Sequence, residues 1–174
     1  MKRLNRSFFD TPHGKMVAMA TEKGLGVLEF SKPNRQELLT KRLNKWFSNY
    51  EIVDDSSPII TMAGEWLTDY FQGKFDRLKT PPLDMRGTEF ELKVWKELLR
   101  IPLGQTRSYK QVAIELGIPK GPRAVGGANR RNPVSLIVPC HRVIGQNDSL
   151  VGYGGGLEVK KALISHERGA AAHL

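Results

Sequence analysis

Ser108-Tyr109-Lys110-Gln111-Val112-Ala113-Ile114-Glu115-Leu116-Gly117, then Ile118-Pro119-Lys120-Gly121, then Pro122-Arg123-Ala124-Val125-Gly126-Gly127-Ala128-Asn129-Arg130-Arg131-Asn132-Pro133, carries the clearest pattern of local structure in the chain. Ser108 suits a helix N-cap, and Gln111 three residues on completes a capping box. The helix so opened would bury Val112, Ala113 and Leu116 and stop at Gly117, with Pro119 beyond it. A second helix over 123–131 is halted by Asn132-Pro133. Two short helices across a glycine-containing turn, the second carrying arginines, is the helix-turn-helix layout. Gly126 and Gly127 weaken that second helix but permit close approach to a neighbour or to a sugar-phosphate backbone. Base-edge readout wants Asn, Gln or Arg along a whole face, so little sequence specificity is expected.

Working outward, Phe90, Val94, Trp95, Leu98 and Leu99 stripe a helix that ends before Pro102. Residues 73–87 have two adjacent prolines and no periodicity, and read as a linker. Before them, strands are expected at 4–9, 15–20 and 25–30, broken by Pro12-His13-Gly14 and Glu22-Lys23-Gly24. Asn34 is expected to cap a helix carrying Leu38, Leu39, Leu43, Trp46 and Phe47, and Ser57-Pro58 to open another whose inner side holds Leu67, Tyr70 and Phe71. The expected fold class is α+β. A small N-terminal α/β domain with an antiparallel sheet (1–80) and a linker (81–88) precede a mainly helical domain with a winged-type helix-turn-helix (89–174).

Composition limits the function classes. The 174 residues are 40% hydrophobic and carry a net charge of +9, which suits a packed core rather than disorder. Residues 85–174 hold 14 Lys/Arg against 7 Asp/Glu, and within 104–142 seven basic residues face one acid, Glu115. Such clustering attracts polyanions, although a merely soluble basic face has the same composition. No apolar run approaches the roughly 20 residues of a membrane span, and no secretory apolar region follows the basic N-terminus. The only cysteine, Cys140, cannot form an internal disulfide. A cytoplasmic location is therefore the expectation.

Cys140 follows the apolar run Leu136-Ile137-Val138 and Pro139. A lone cysteine is ordinarily an inert small hydrophobe. Here His141 and Arg142 follow at once, which makes positive potential available to a thiolate, and Pro133 with Pro139 is expected to hold an extended path. An unperturbed thiol, with a pKa of about 8.5, is only slightly ionised at neutral pH, so a base is needed. His141 is adjacent, and Glu167 is a candidate to orient it. Neighbours on an extended segment point to opposite faces, so a bridging water fits better than direct Cys–His pairing.

These residues resemble a known family. Asn132-Pro133-Val134-Ser135-Leu136-Ile137-Val138-Pro139-Cys140-His141-Arg142-Val143 is similar to the active-site signature of the O6-alkylguanine-DNA alkyltransferases. Arg123-Ala124-Val125-Gly126-Gly127-Ala128 upstream and Gly152-Tyr153-Gly154-Gly155-Gly156-Leu157 with Lys160 and Glu167 downstream match as well, over residues 87–169. The N-terminal half matches only in general character.

The resemblance implies roles. Cys140 would accept the alkyl group of O6-alkylguanine, irreversibly and once per molecule, in a relay through water to His141 and Glu167. Arg123 would enter the duplex from the minor groove and fill the space of the extruded nucleotide. Tyr109 would press on the target's 3′ phosphate and contact the flipped base, and Asn132 would tie the recognition helix to the active-site turn. Ser108, Ala124, Gly126, Gly127 and Arg130 would lie along the DNA. Val143, Tyr153, Gly154, Gly155 and Lys160 would surround the substrate, with the glycines leaving room for groups larger than methyl. A base cannot present its O6 substituent from inside a stacked duplex, so extrusion is required.

No cofactor is expected. No metal is expected either, because His13, His141, His166 and His173 are scattered and the cysteines of the zinc site carried by some relatives are missing. The chain also lacks the cysteine-rich segment of the adaptive-response regulator, which implies a stand-alone repair protein. The expected partner is double-stranded DNA containing alkylated bases, met by a monomer, with no membrane partner. O4-alkylthymine as a substrate and cooperativity on DNA stay open. Three other readings remain: a non-catalytic damage binder of the alkyltransferase-like kind, disfavoured by Cys140; a helix-turn-helix regulator; and a thiol hydrolase.

Overall fold

The computed structural model describes residues 1–145, 153 and 155–171. The chain divides into two compact units, Met1–Arg86 with Pro133–Ser135, and Gly87–Asn132 with Leu136–Leu174.

The first unit is built on a four-stranded sheet of order β3-β2-β1-β4, from β1 (Lys2–Thr11), β2 (Gly14–Ala20), β3 (Leu25–Phe30) and β4 (Tyr50–Val53). β1 pairs antiparallel with β2 through a two-residue turn, and β2 antiparallel with β3, whereas β4 joins β1 in parallel. All of β3 and all of β2 from Met16 onward are buried, so these strands are covered on both faces. Alternation of side chains assigns the faces. Leu4, Val17, Met19 and Val27 form one cluster with Phe47, against which Leu39, Leu43 and Trp46 of α1 (Pro33–Trp46) pack. On the other face, α2 (Pro58–Phe71) lies so close that a Cβ on Gly64 would meet the Phe9 ring at 2.6 Å. Ser57 caps α2, with Pro58 at its first position.

Asn34 is not the cap of α1. Lys32 holds that position without a side-chain capping bond and Pro33 opens the helix, because a proline with no N–H and a helical φ suits the first turn. Nor do residues 81–86 run free between the units. Leu25 N–H donates to Pro82 O at 2.7 Å and Asp84 N–H to Leu25 O at 2.9 Å, so this segment lies along β3. The Arg86 guanidinium stacks 4.6 Å from the Phe47 ring centroid and bonds Trp46 O, Tyr50 Oη and Asp84. Further along the same strand Leu28 bonds Pro133 O and Ser135 N–H, so Val134 also pairs with β3.

The second unit contains α3 (Glu89–Leu98), β5 (Arg107–Ser108), α4 (Tyr109–Glu115), α5 (Pro122–Arg130), β6 (Val143–Ile144) and α6 (Leu157–Ala171). Thr88 and Glu91 form a capping box on α3, and Ser108 and Gln111 form one on α4. Val94, Trp95 and Leu98 are buried, but Leu99 lies past the last turn and is 42% exposed. Val112 and Ala113 are buried, and Gly117, at φ +76°, ends α4. The Trp95 indole donates to Ala128 O at 2.8 Å, and Arg131 pairs with Glu91, so α5 is pinned to α3. β5 and β6 form a short parallel pair.

The path into Cys140 is not extended, contrary to the expectation from its prolines. Leu136 adopts φ +72°, and Cys140–Arg142 form a 3-10 turn. No helix among the described residues is long and apolar enough to cross a membrane.

Candidate active site

Cys140 opens the 3-10 turn and is 5% exposed. Its carbonyl accepts from Val143 N–H and, at 3.2 Å, from the Asn129 side-chain amide. Two donors fill both lone pairs of that oxygen and hold the backbone of the cysteine in one orientation.

His141, next on the turn, is fully buried. Its Nε2 is hydrogen-bonded to Glu167 Oε2, which α6 delivers from 26 residues away. Its Nδ1 is buried and has no hydrogen-bond partner among the described residues. The other Glu167 oxygen accepts from Arg142 Nε at 2.6 Å, and Arg142 Nη1 donates to Ile101 O at 2.8 Å. Burial pushes the Glu167 carboxyl up, but the imidazole and guanidinium beside it prevail and bring it down to about 2. Glu167 is thus an anion that accepts only, so the proton of this bond lies on His141 Nε2.

Tyr109, the first residue of α4, lies close to this group. Burial raises its hydroxyl, the neighbouring Cys140 raises it further, and the Asn129 side chain opposes both, leaving it above its usual range. Across the ring, Lys160 Nζ lies 5.9 Å from the Tyr109 centroid and donates to Val143 O at 2.6 Å. Burial lowers the Lys160 ammonium to about 8, against a smaller opposing pull from Cys140. The Tyr153 ring stands edge-on to His141 at 6.4 Å, and Gly155 is buried. Gly154 lies outside the described residues.

Asn132, just past α5, donates its amide to Val138 O at 2.8 Å. Arg123, Ala124 and Arg130 are exposed on α5, with Gly126 and Gly127 half-buried. A Cβ on Gly126 would come within 3.8 Å of the Tyr109 ring. Ser108 serves as the cap of α4. The structure therefore brings Cys140, His141, Glu167, Tyr109, Val143, Tyr153 and Lys160 into one buried neighbourhood, with Asn132 beside its entry strand. It leaves the cations of α5 on the surface.

Sequence reasoning missed Asn129 and misread Arg142. The first carried a signal, since an amide three residues before Asn132 sits on the same side of the helix end. The second was assigned to thiolate stabilisation by adjacency, whereas its guanidinium fork is engaged by Glu167 and Ile101.

Residues 89–169 match the family model described as 6-O-methylguanine DNA methyltransferase, DNA binding domain. A methylated-DNA–protein-cysteine methyltransferase of Methanosarcina barkeri is 39% identical over 160 residues, spanning 91% of this chain and 93% of its own. The protein of that name from Methanosarcina mazei is 44% identical over 159 residues, covering 90% and 92% respectively. The crystal structure of Mycobacterium tuberculosis OGT in complex with DNA superposes with a TM-score of 0.78 at 35% identity, covering 95% of this chain and 94% of that one.

Proposed function

Because the chain belongs to the methylated-DNA–protein-cysteine methyltransferase family, we propose that it repairs O6-alkylguanine in duplex DNA by moving the alkyl group onto Cys140, once per molecule. The observation that carries this reading is the bonding of His141 beside Cys140. With Nε2–H donated to anionic Glu167, Nδ1, which has no hydrogen-bond partner among the described residues, is left to act through a bridging water as the base for the neighbouring thiol.

The step balances as a displacement. The thiol proton passes through water to His141 Nδ1, sulfur attacks the alkyl carbon, and a C–S bond forms as the C–O6 bond breaks. The electron pair of that bond goes to the base, where the Tyr109 hydroxyl donates to the developing oxyanion. A raised Tyr109 keeps its proton at neutral pH and so remains a donor. Asn129 and Asn132 hold the backbone on either side of the reaction, through Cys140 O and Val138 O. The thioether product has no readily hydrolysed bond, so turnover stops after one event.

DNA delivery falls to the helix-turn-helix of α4 and α5. Arg123, exposed near the start of α5, enters the space of the extruded nucleotide, and Arg130 contacts phosphate. The small residues Ala124, Gly126 and Gly127 allow the sugar-phosphate backbone to approach. Val143, Tyr153, Gly155 and Lys160 bound the base.

Intact-mass analysis after incubation with a duplex containing O6-methylguanine tests the reading. One methylene per protein molecule is expected, and none for Cys140→Ala. Repeated turnover, or an unmodified wild-type protein, overturns it.

A further inference from the structure

We propose that Arg142 is a positioning residue for alkyl transfer: by closing the charge of Glu167, it keeps His141 in the neutral, Nε2-protonated form that can take the thiol's proton. This rests on the reading of Cys140 as alkyl acceptor.

The geometry is specific. Glu167 is 1% exposed and its two oxygens are divided, Oε2 to the imidazole and Oε1 to Arg142 Nε at 2.6 Å. A buried carboxylate that faces an imidazole with no guanidinium beside it would be relieved by protonating that imidazole, because uncompensated charge is costly away from water. An imidazolium ground state has no lone pair at Nδ1 and cannot act as the base. Arg142 removes that demand with a cation that does not titrate. The guanidinium is 12% exposed at its side chain and is itself aimed by the 2.8 Å bond from Nη1 to Ile101 O, so the charge is fixed rather than borrowed from solvent.

The charged groups nearby have bonds of their own. On α6, Lys160 donates to Val143 O, and Arg168 reaches Thr106 at an exposed position. On α3, which packs against the 3-10 turn, Glu97 is paired with Arg100 and Arg107. Tyr109 on α4, Tyr153 edge-on to the His141 ring, and Cys140 on the turn itself are further titratable neighbours, and each is uncharged while it keeps its proton.

The test is the pH dependence of the single-turnover rate on a duplex containing O6-methylguanine, for wild type, Arg142→Met and Arg142→Lys. In Arg142→Met the acid limb should move up by about one pH unit or more, the effect of removing an adjacent opposing charge. Arg142→Lys should move it back toward wild type. Nitrogen-15 chemical shifts of the His141 ring in the intact wild-type protein should show the neutral Nε2–H tautomer at pH 7. They should show imidazolium at that pH in Arg142→Met, which separates an effect on His141 from one on the thiol. An imidazolium in the wild type overturns the proposal even if the methionine variant does not fold. So does an acid limb that stays in place in Arg142→Met while only the plateau falls. Failure of the parent reading looks different, since the wild type would then form no Cys140 adduct.

Discussion

The side-chain amide of Asn132 donates to the carbonyl of Val138 across 2.8 Å, with both residues buried. That bond closes the loop between the end of α5 and the approach to Cys140, within which Leu136 holds φ +72°. A left-handed leucine costs on the order of 1–2 kcal/mol and persists only where its surroundings over-determine it.

Replacing Asn132 by Ala should therefore lose more than one bond. It leaves the buried Val138 carbonyl with only the Cys140 N–H, at 2.8 Å, a loss of about 1 kcal/mol, and it unties the end of α5 from the approach to Cys140. The unfolding midpoint should fall by several degrees, and transfer to Cys140 should slow even at temperatures where the variant is folded. A variant with unaltered melting would remove Asn132 from this role.

Acid stability should depend on Glu167. Its carboxyl is brought down to about 2 in the fold, from an ordinary 4.5. Stabilisation from this group is fully present above the ordinary value and is lost as pH falls toward the folded one, since protonation then breaks its pairing. The full effect is on the order of 3 kcal/mol. Urea unfolding in steps from about pH 5 to about pH 3 should show stability falling in wild type and a shallower decline in Glu167→Gln. Parallel declines would mean that other carboxyls dominate.

Asn129 should act through Tyr109 and Cys140 together. Asn129→Leu keeps the volume but removes the donor to Cys140 O and the amide beside the hydroxyl. A loss of about 1 kcal/mol, or roughly fivefold in transfer rate, is expected. In a Tyr109→Phe background the same substitution should cost less, because part of its effect is already gone. Equal losses in both backgrounds would confine Asn129 to the backbone of Cys140.

Arg123 should matter for duplex DNA and not for the chemistry. Its side chain is exposed on α5 and outside the buried group around Cys140. Arg123→Ala should slow transfer from duplex DNA far more than transfer from free O6-alkylguanine, measured as rates of Cys140 modification. If both rates fell alike, the extrusion role would be wrong. Binding of the wild type should also weaken steeply with salt, as phosphate contacts require.

Much of the local structure was legible because its causes are local. The capping box of Ser108 and Gln111, the proline at the start of α2 and the stop at Gly117 each depend on residues within a turn of one another. Where neighbours compete, the reading slipped. Pro33 took the start of α1 from Asn34, and Leu99 fell one residue beyond the last buried turn. The prolines around Leu136 suggested an extended path because proline restricts φ, but restriction at Pro133 and Pro139 leaves Leu136 free to turn.

Residue types in contiguous order were enough for the family and the fold class, and they singled out one thiol, Cys140. Tertiary structure decided what surrounds that thiol. Glu167 reaches His141 from 26 positions away, and Ile101 receives Arg142 from 41 away. Nothing in the chain order distinguishes Arg142 as a partner of Glu167 from Arg142 as a partner of the thiolate. Burial makes the choice: the 1%-exposed carboxylate needs a fixed counter-charge, and the guanidinium fork that folding brings beside it supplies one.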